Sequence, residues 1–489
     1  MHPIGALYDN LAEKAARPAL YDGAVALTHE ELIAGVERAA LKVEAGMRVG
    51  LCAGNTWRHV VAYLAILRAG GVWVPLNPRN GPRLNDELRS RAGLQLTLCD
   101  EASHVAVGDL AGVSSLETWL ESDGVGALLP LPRDPEAVFA IKFTGGSTGQ
   151  PKGVVQTVRS AAQAMACMQS FYGFNKEDVN LAVAPLTHGS SHYVIPVLAA
   201  GGAHVLLAQP DRARIVEELK QRVSIAFMPP TLIHLLMSDT AFAPADFPAL
   251  RHITYSAAPM APAAIEKAIA RFGPVISTLY GQTEAPMTIT ALSAAEMQRE
   301  ALRASVGRAF SETPIAVLTT SNEIAAIGEG EILVGGDLAA TSYLDDPVLS
   351  AGSRHEGWLK TGDIGRIDAD GYLYLLGRSK EMIISGGYNI YPAEVERALA
   401  AHPAVREACA FGVADEIWGE RLEAAVAADG VDEATLRAFV REALGAVRTP
   451  KRLHLLAALP RNPVGKVVRS DVRDLCARKE KEFGEEAVS

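Results

Sequence analysis

Short apolar runs alternate with Ala-rich amphipathic stretches along most of the chain, the pattern of layered α/β folds. A helix is predicted over Val60–Arg68, with a strand following over Val72–Leu76. Four further apolar runs, each placed before a turn or a helix, are predicted as strands: Ala137–Ile141, His204–Leu207, Ile225–Met228 and His252–Ser256. The pattern therefore predicts an α/β chain in which sheets and helices form layers.

A chain of 489 residues is too long for one hydrophobic core, which predicts at least two domains. The expected division is a large N-terminal domain over residues 1–379 and a small C-terminal α+β domain over residues 380–489, with Gly371–Leu376 as the closing strand of the first. The small domain is predicted from helices over Pro392–Leu399 and Glu433–Leu444 and from strands over Ala408–Val413 and Glu423–Ala427.

Charge and composition exclude several function classes. The net charge of −11 argues against nucleic acid as a partner. No apolar run reaches the ~18 residues of a membrane span and no export signal is seen, so we expect a cytoplasmic protein without integral membrane association. The five cysteines have no metal-type spacing and are predicted to be buried, reduced thiols: Cys52, Cys99, Cys167, Cys409 and Cys476.

The segment Phe143–Val154 is rich in glycine and hydroxyl side chains and contains one lysine, Lys152. Glycine lets backbone N–H groups close around an anion, and the hydroxyls and the lysine add donors for phosphate oxygens. A mobile surface loop is the plain alternative, but the apolar runs on both sides favour a phosphate cradle between strands. It is not a Walker A loop, because Pro151 precedes the lysine and Gly153 follows it.

Four further segments carry side chains suited to a nucleotide, although each alone could be an ordinary loop or turn. They are Tyr280–Glu284, Trp358–Asp363, Gly377–Glu396 and Pro460–Arg469.

In this order and spacing, these segments together resemble the acyl-adenylate-forming superfamily of acyl-CoA synthetases, peptide-synthetase adenylation domains and firefly luciferase. The resemblance covers nearly the whole chain, since it includes Ala26–Leu32 and Leu67–Pro78 as well. It implies that ATP and a carboxylic acid give acyl-AMP and pyrophosphate, and that coenzyme A then displaces AMP. It also implies that the small domain rotates about Lys380 between the two half-reactions.

The resemblance implies a role for each matched residue. The β- and γ-phosphates would be held by Thr144, Gly145, Gly146, Ser147, Thr148, Gly149 and Lys152. The adenine pocket would be lined by Tyr280, Gly281, Ser256, Ala257, Ala258 and Pro259. Gly145 departs from the commonest family loop, which has serine there, so only backbone contacts are expected at that position.

The catalytic groups implied by the resemblance are Thr283 at the α-phosphate, Glu284 as a Mg²⁺ ligand and Lys466 at the α-phosphate and the attacking carboxylate. Thr148 is a second candidate metal ligand, and Asp363 and Arg378 would bind the ribose. The coenzyme A channel would be formed by Ser385, Gly386, Gly387 and Tyr388. His188 and Gln282 would border the acyl pocket, whose neighbouring residues favour an apolar acyl or aryl acid.

Several alternatives remain open at this point. An amino-acid adenylation domain would be expected to place an acidic residue in Pro185–His192, which has none. An acyl-AMP ligase that loads a carrier protein without coenzyme A tends to lack the pair Gly386 and Gly387. A luciferase-like oxygenase shares the motifs, and a non-catalytic acyl-adenylate-binding protein would be expected to lack Lys466 or Glu284. A homodimer is compatible with all of these.

Overall fold

The structure is a computed structural model that describes residues 2–107, 112–124, 129–144, 151–209, 211–238, 241–385, 388–462 and 467–486, with the side chains of residues 389 and 480–486 excepted. Helices and strands alternate along these residues, which confirms the predicted α/β class. The helices are α1 (Leu11–Lys14), α2 (His29–Ala40), α3 (Trp57–Arg68), α4 (Pro82–Ala92), α5 (His104–Val107), α6 (Leu116–Glu121), α7 (Val158–Tyr172), α8 (Ser191–Ala199), α9 (Arg212–Gln221), α10 (Pro230–Met237), α11 (Pro262–Phe272), α12 (Ala294–Met297), α13 (Pro347–Gly352), α14 (Pro392–Ala400), α15 (Glu433–Leu444) and α16 (Arg469–Glu486).

The strands form several sheets. They are β1 (Pro18–Asp22), β2 (Val25–Thr28), β3 (Arg48–Cys52), β4 (Val72–Pro75), β5 (Leu96–Cys99), β6 (Val113–Ser115), β7 (Val138–Thr144), β8 (Lys152–Thr157), β9 (Val179–Ala182), β10 (Ala203–Leu206), β11 (Ile225–Met228), β12 (His252–Tyr255), β13 (Ile276–Tyr280), β14 (Thr290–Leu292), β15 (Arg308–Ala309), β16 (Ile315–Leu318), β17 (Ile324–Ala325), β18 (Gly328–Val334), β19 (Thr341–Tyr343), β20 (Arg354–His355), β21 (Trp358–Ile367), β22 (Leu373–Arg378), β23 (Ile383–Ser385), β24 (Tyr388–Ile390), β25 (Val405–Asp415), β26 (Gly419–Ala428) and β27 (Arg452–Leu455).

Sheet A has the strand order β15-β14-β13-β12-β11-β9-β10-β1-β2, and its strands from β13 to β1 run parallel to their neighbours. Sheet B has the order β19-β8-β7-β4-β3-β5-β6, with the antiparallel pairs β19–β8 and β8–β7 at one end. Sheet C has the order β17-β16-β18-β21-β20, with β22 paired to β21. Sheet D has the order β24-β23-β26-β25, with β27 paired to β26. The predicted strands of the sequence analysis all fall on members of these sheets.

The chain divides into two compact units. The first consists of Met1–Pro259, Glu266–Ile315 and Leu333–Thr361, and it contains sheets A and B. The second consists of Met260–Ile265, Ala316–Ile332 and Gly362–Ser489, and it contains sheet D. The second unit includes residues on both sides of Lys380, and the domain boundary predicted at residue 380 stays a prediction.

Helix α3 forms the centre of the first unit. Every side chain from Val60 to Leu67 is at most 4% exposed, and the helix contacts strands of both sheet A and sheet B. A helix that is apolar on all faces is stable only where it is covered on all faces. Its first turn is capped by Thr56, whose hydroxyl accepts a hydrogen bond from the backbone N–H of His59 at 3.3 Å. The predicted helix Val60–Arg68 is therefore confirmed as part of a longer helix that begins at Trp57.

Two expectations drawn from the sequence concern the cysteines and membrane-spanning helices. The five cysteines are buried thiols outside any disulfide, as predicted. Among the described residues, no helix has both the length and the apolar content that crossing a bilayer requires.

In the second unit, Arg469 ties the first turn of α16 to three other segments. Its Nη2 lies 3.1 Å from Oε2 of Glu381, and its Nη1 donates to Oε1 of Glu396 and to the carbonyl oxygen of Ala410. The side chain is 26% exposed, so this ion-pair network is largely screened from water. It fixes the start of α16 against α14 and β25.

We expect Arg469→Met to lower the free energy of unfolding of the second unit by roughly 1–3 kcal/mol, because the partly buried Glu396 and the more exposed Glu381 then lose their cation. Chemical denaturation followed by circular dichroism measures this change. Arg473→Met on the same helix is the matched control, since Arg473 is half exposed and pairs only with Asp474 within the described residues. An equal loss in both variants would contradict the assignment.

Candidate functional site

The parallel strands of sheet A bring several predicted site segments to one edge. β9, β11, β12 and β13 run in the same direction, so the residues that follow them lie along the same side of the sheet. Those following residues begin at Val183, Pro229, Ser256 and Gly281. Ligands of open α/β sheets bind at the carboxyl ends of the strands. The predicted adenine and acyl segments therefore share one edge of sheet A.

The predicted adenine segments differ in exposure. Tyr280 ends β13 and is 8% exposed, and Ser256 is also buried, whereas the three residues that follow Ser256 are exposed: Ala257, Ala258 and Pro259. Ala257 has a φ of 70°, in the left-handed region that non-glycine residues rarely adopt. Gly281 is required by the fold itself, because a Cβ there would lie 2.5 Å from the backbone of Met287.

The predicted phosphate loop starts and ends on a β-hairpin. β7 and β8 are antiparallel, and Thr144 lies opposite Lys152 at the end of the hairpin that leads into the loop. The hairpin therefore holds the two ends of the loop side by side. The intervening predicted residues lie outside the described residues: Gly145, Gly146, Ser147, Thr148 and Gly149.

Hydrogen bonds join this hairpin to the segment after β13. The side-chain amide of Gln156 on β8 donates to the carbonyl oxygen of Thr283 at 2.8 Å. The hydroxyl of Thr341, opposite Gln156 on β19, donates to the carbonyl oxygen of Glu284 at 2.7 Å. Tyr343 donates its hydroxyl to Oε1 of Glu284 at 2.9 Å. Thr283 and Glu284 are thus held from sheet B, beside the base of the predicted phosphate loop.

The residues present fit a magnesium ion bound together with a nucleotide. Oε1 of Glu284 is engaged by Tyr343, and the described residues give Oε2 no hydrogen-bond partner. They also contain no group of three or more acidic, histidine or cysteine side chains that could hold a metal alone. Mg²⁺ is usually held by one or two carboxylates and completed by substrate phosphates and water, which one free carboxylate oxygen satisfies.

Gln282, predicted to border the acyl pocket, is held in place by the first unit. Its side-chain amide donates to the carbonyl oxygen of Thr361 at 3.0 Å, and its backbone N–H donates to Ala285. These bonds fix the turn that carries Thr283 and Glu284.

His188 lies beyond the end of β9 and is exposed. The amide of Asn77 donates to its Nε2 at 3.2 Å. Surrounding protein atoms lower its pKa to about 4, and the positive charges of Lys142 and Arg79 add to the effect. His188 is therefore neutral at physiological pH.

Lys142 is not among the predicted site residues, but it lies beside them. It lies on β7, is 8% exposed, and its Nζ is 3.3 Å from Nε2 of His192 on α8. Its Nζ also lies 5.1 Å from the ring centroid of Trp73. Burial lowers its pKa from 10.5 to about 7. A lysine inside an apolar strand run was the available signal, because lysine is almost never buried without a partner.

The second unit contains the predicted ribose residues. Asp363 on β21 and Arg378 on β22 lie opposite each other, and Nε of Arg378 is 2.9 Å from Oδ1 of Asp363. Asp363 is buried, while the side chain of Arg378 is 51% exposed. The structure therefore brings this predicted pair together.

The predicted hinge and thiol segment follow in the same unit. Lys380 lies in a short 3₁₀ turn, Ser379–Glu381, before β23. Ser385 is buried and lies opposite Tyr388, which is 59% exposed. Gly386, Gly387 and Lys466 lie outside the described residues, so their roles stay predictions.

Comparison with known proteins assigns the family. The chain matches the family described as AMP-binding enzyme over residues 7–344 and the AMP-binding enzyme C-terminal domain over residues 394–466. The medium/long-chain-fatty-acid–CoA ligase FadD8 of Mycobacterium tuberculosis is 34% identical over 388 residues, which cover 76% of this chain and 66% of that protein.

A second relative from Mycobacterium tuberculosis is 3-[(3aS,4S,7aS)-7a-methyl-1,5-dioxo-octahydro-1H-inden-4-yl]propanoyl:CoA ligase, which is 32% identical and matches over 94% of this chain and 92% of its own length. Among solved structures, the amide bond synthetase McbA from Marinactinospora thermotolerans superimposes with a TM-score of 0.86 at 27% identity, covering 97% of this chain and 99% of that chain. These likenesses confirm the predicted adenylate-forming fold.

The lowered pKa of Lys142 predicts how the stability of the folded protein depends on pH. Below about pH 7 the lysine is charged in both the folded and the unfolded chain, and the cost of burying the charge is present in full. Between about pH 7 and 10.5 the unfolded chain binds a proton that the folded chain does not, so wild-type stability rises with pH.

We therefore expect the melting temperature of Lys142→Met to exceed that of the wild type most at roughly pH 6 and least at roughly pH 10. Paired melting curves across this range measure the difference. A difference that does not change with pH would contradict a buried lysine of lowered pKa.

Proposed function

We propose that this chain, which belongs to the AMP-binding enzyme family, is an ATP-dependent carboxylic acid–CoA ligase. The observation that carries the proposal is the set of hydrogen bonds that hold Thr283 and Glu284 beside the paired residues Thr144 and Lys152. These residues carry hydroxyl, carboxylate and ammonium groups, which are the groups that bind a triphosphate and its metal ion, and this supports the proposal. The names of the relatives FadD8 and the indenyl-propanoyl:CoA ligase support the CoA acceptor.

In the first half-reaction, a carboxylate oxygen of the acid attacks the α-phosphorus of ATP. The bond from that phosphorus to the pyrophosphate oxygen breaks, which gives acyl-AMP and pyrophosphate. Thr283 is assigned to the α-phosphate, and Thr144 and Lys152 to the leaving pyrophosphate. Mg²⁺, bound through Glu284, would neutralise phosphate charge. Such reactions depend mainly on positioning and on electrostatic stabilisation.

In the second half-reaction, the sulfur of coenzyme A attacks the acyl carbon and the bond to AMP breaks. The thiol loses its proton, AMP leaves with the bonding pair, and the acyl thioester forms. The thiol channel is assigned to Ser385, Gly386, Gly387 and Tyr388. Lys380 is assigned to the hinge about which the small domain rotates between the two half-reactions. The cofactors of the proposal are thus ATP, Mg²⁺ and coenzyme A, the last as a co-substrate.

The acid is proposed to be largely apolar. The acyl segment around His188 carries no carboxylate, and Gly189 packs against the ring of Phe227, to which a Cβ would come within 2.9 Å. By their names, one relative acts on medium- and long-chain fatty acids and another on a bicyclic propanoate. Both substrates have an extended hydrocarbon part.

The similar proteins differ, by their names, in the acceptor that receives the acyl group. Two are CoA ligases by name, whereas McbA is an amide bond synthetase. The second candidate is therefore an acyl-AMP ligase that transfers the acyl group to a carrier protein or another acceptor. Formation of hydroxamate from hydroxylamine without any thioester from coenzyme A would favour this candidate over the CoA ligase.

We expect Lys466→Ala to lower the rate of acyl-AMP formation by about 10²–10³, because a positive donor at the α-phosphate is lost. Thioester formation from supplied acyl-AMP and coenzyme A should persist. Pyrophosphate release measures the first half-reaction and thioester absorbance the second. Lys451→Ala, on an exposed lysine before β27, is the control. Equal loss of both half-reactions in Lys466→Ala would contradict its assignment.

We expect Tyr343→Phe to raise the Mg²⁺ concentration at half-maximal rate by roughly tenfold, since a group that orients a metal ligand typically changes affinity by 10–100-fold. The physical reason is the loss of the hydrogen bond to Oε1 of Glu284. Magnesium titrations of pyrophosphate release at saturating ATP measure it. Tyr21→Phe on β1 is the matched control, and an equal shift there would contradict the assignment.

A further inference from the structure

Lys142 has no part in the proposed half-reactions, yet it lies two residues before Thr144 on the strand that leads into the phosphate loop. Side chains two apart on a strand point to the same face, so Lys142 and Thr144 share a face of β7. On β8, Gln156 lies opposite Ala140 and therefore on that same face. Lys142 thus belongs to the face of sheet B that meets Thr283.

On this face, Lys142 leans away from Thr283. The order of strands is β8-β7-β4, and Gln156 on β8 makes the contact with Thr283. Lys142 instead lies over the ring of Trp73 on β4, on the opposite side of β7, and reaches His192 on α8. Its ammonium therefore lies on the far side of β7 from the α-phosphate residue, towards the acyl segment.

The hydrogen bonds leave the ammonium with unused donors. Nδ1 of His192 lies 3.1 Å from the carbonyl oxygen of Gly189, so that nitrogen carries the proton and Nε2 accepts from Lys142. A lysine ammonium has three N–H donors. Within the described residues, His192 is its hydrogen-bond partner, which leaves two donors directed at no protein acceptor.

Among the described residues, the ionisable groups beside Lys142 are neutral or positive. His188 and His192 face it from α8 and the preceding loop, and the positive charge of Lys142 disfavours protonation of both. Arg79 adds a further positive charge near His188. Among the described residues, no carboxylate forms an ion pair with Lys142. A chain with a net charge of −11 thus has a local positive region beside its acyl segment.

We propose that Lys142 binds a second oxygen-bearing group of the acid substrate, a carboxylate or a ketone, that lies beyond the reacting carboxylate. This inference rests on the proposed function, because it assigns the substrate class of that same site. The hydrocarbon part of the acid would lie along the acyl segment around His188, and its distal oxygen would accept from the free N–H groups of Lys142. His192 is the positioning residue that holds the ammonium.

Burial energetics support an oxygen ligand over a purely structural role. A charged group removed from water without an acceptor for each donor is destabilising, whereas an apolar side chain of similar volume would be tolerated in an apolar strand. A ligand oxygen satisfies the donors and stabilises the charged form. The arrangement therefore discriminates between acids that differ only at the distal end.

Matched acids test the inference. The acids are grouped in sets of three that share one chain length, between four and ten carbons. Each set contains an unsubstituted alkanoate, the corresponding oxo acid and the corresponding α,ω-dicarboxylate. Binding is measured by calorimetry without ATP, and turnover by AMP formation with ATP and coenzyme A. We expect Lys142→Met to lower the preference for the oxygenated acids over the alkanoate by roughly 10- to 100-fold in both measurements.

Two further variants sharpen the result. Lys142→Gln keeps a neutral donor and should retain preference for the oxo acid while losing that for the dicarboxylate. Lys267→Met, on an exposed lysine of α11, is the matched control and should leave every preference unchanged. Melting curves confirm that each variant is folded.

The two proposals fail in distinguishable ways. Absence of AMP formation with every acid would overturn the CoA-ligase function, while calorimetry would still decide the role of Lys142. Normal turnover with an unchanged preference in Lys142→Met would overturn this inference alone. An equal loss for all acids, the alkanoates included, would also overturn it, because Lys142 would then act on the reacting carboxylate.

Discussion

The hydrogen bond from Gln156 to the carbonyl oxygen of Thr283 is the contact on which the candidate site depends. Gln156 is 2% exposed, so its amide must find an acceptor inside the protein. The acceptor it finds belongs to the turn after β13, and Thr341 gives the same support to the next residue, Glu284. A net gain of about 1 kcal/mol for each bond is small, but an unpaired buried amide would be more costly. These two hydrogen bonds therefore hold sheet B in a fixed position against the turn that follows β13 of sheet A.

The direction of the strands explains why chemistry collects at this edge. Parallel strands of sheet A end on the same side, and the turns that follow them are free to differ in sequence without disturbing the sheet. The antiparallel end of sheet B contributes a different element, a hairpin that holds both ends of a loop. Helix α3, which is buried from His59 to Arg68, packs against both sheets. The fold thus supplies a rigid support, and the residues at strand ends supply function.

The sequence was sufficient for features encoded locally. α15 has the predicted bounds Glu433–Leu444, and the motif residues Tyr280 to Glu284 lie at a strand end. Contacts that depend on strand register could not be foreseen: Gln156 and Tyr343 are unremarkable until β19 is placed beside β8. The apolar run Ala137–Ile141 was predicted to stop before Lys142, but β7 continues to Thr144 and buries the lysine. Sequence periodicity does not show how far a strand extends when pairing, rather than hydrophobicity, sets its end.

Two cationic side chains show how the same charge is used in different ways. Arg378 lies half exposed opposite Asp363, so its charge is compensated within the fold and is partly screened by water. Lys142 is buried beside histidines whose protonation it disfavours, and no carboxylate of the described residues forms an ion pair with it. Residues that destabilise the free protein persist where a ligand restores the balance, because selection acts on function above a stability threshold. The cost of burying Lys142 is therefore itself an argument that the acid substrate supplies the missing oxygen.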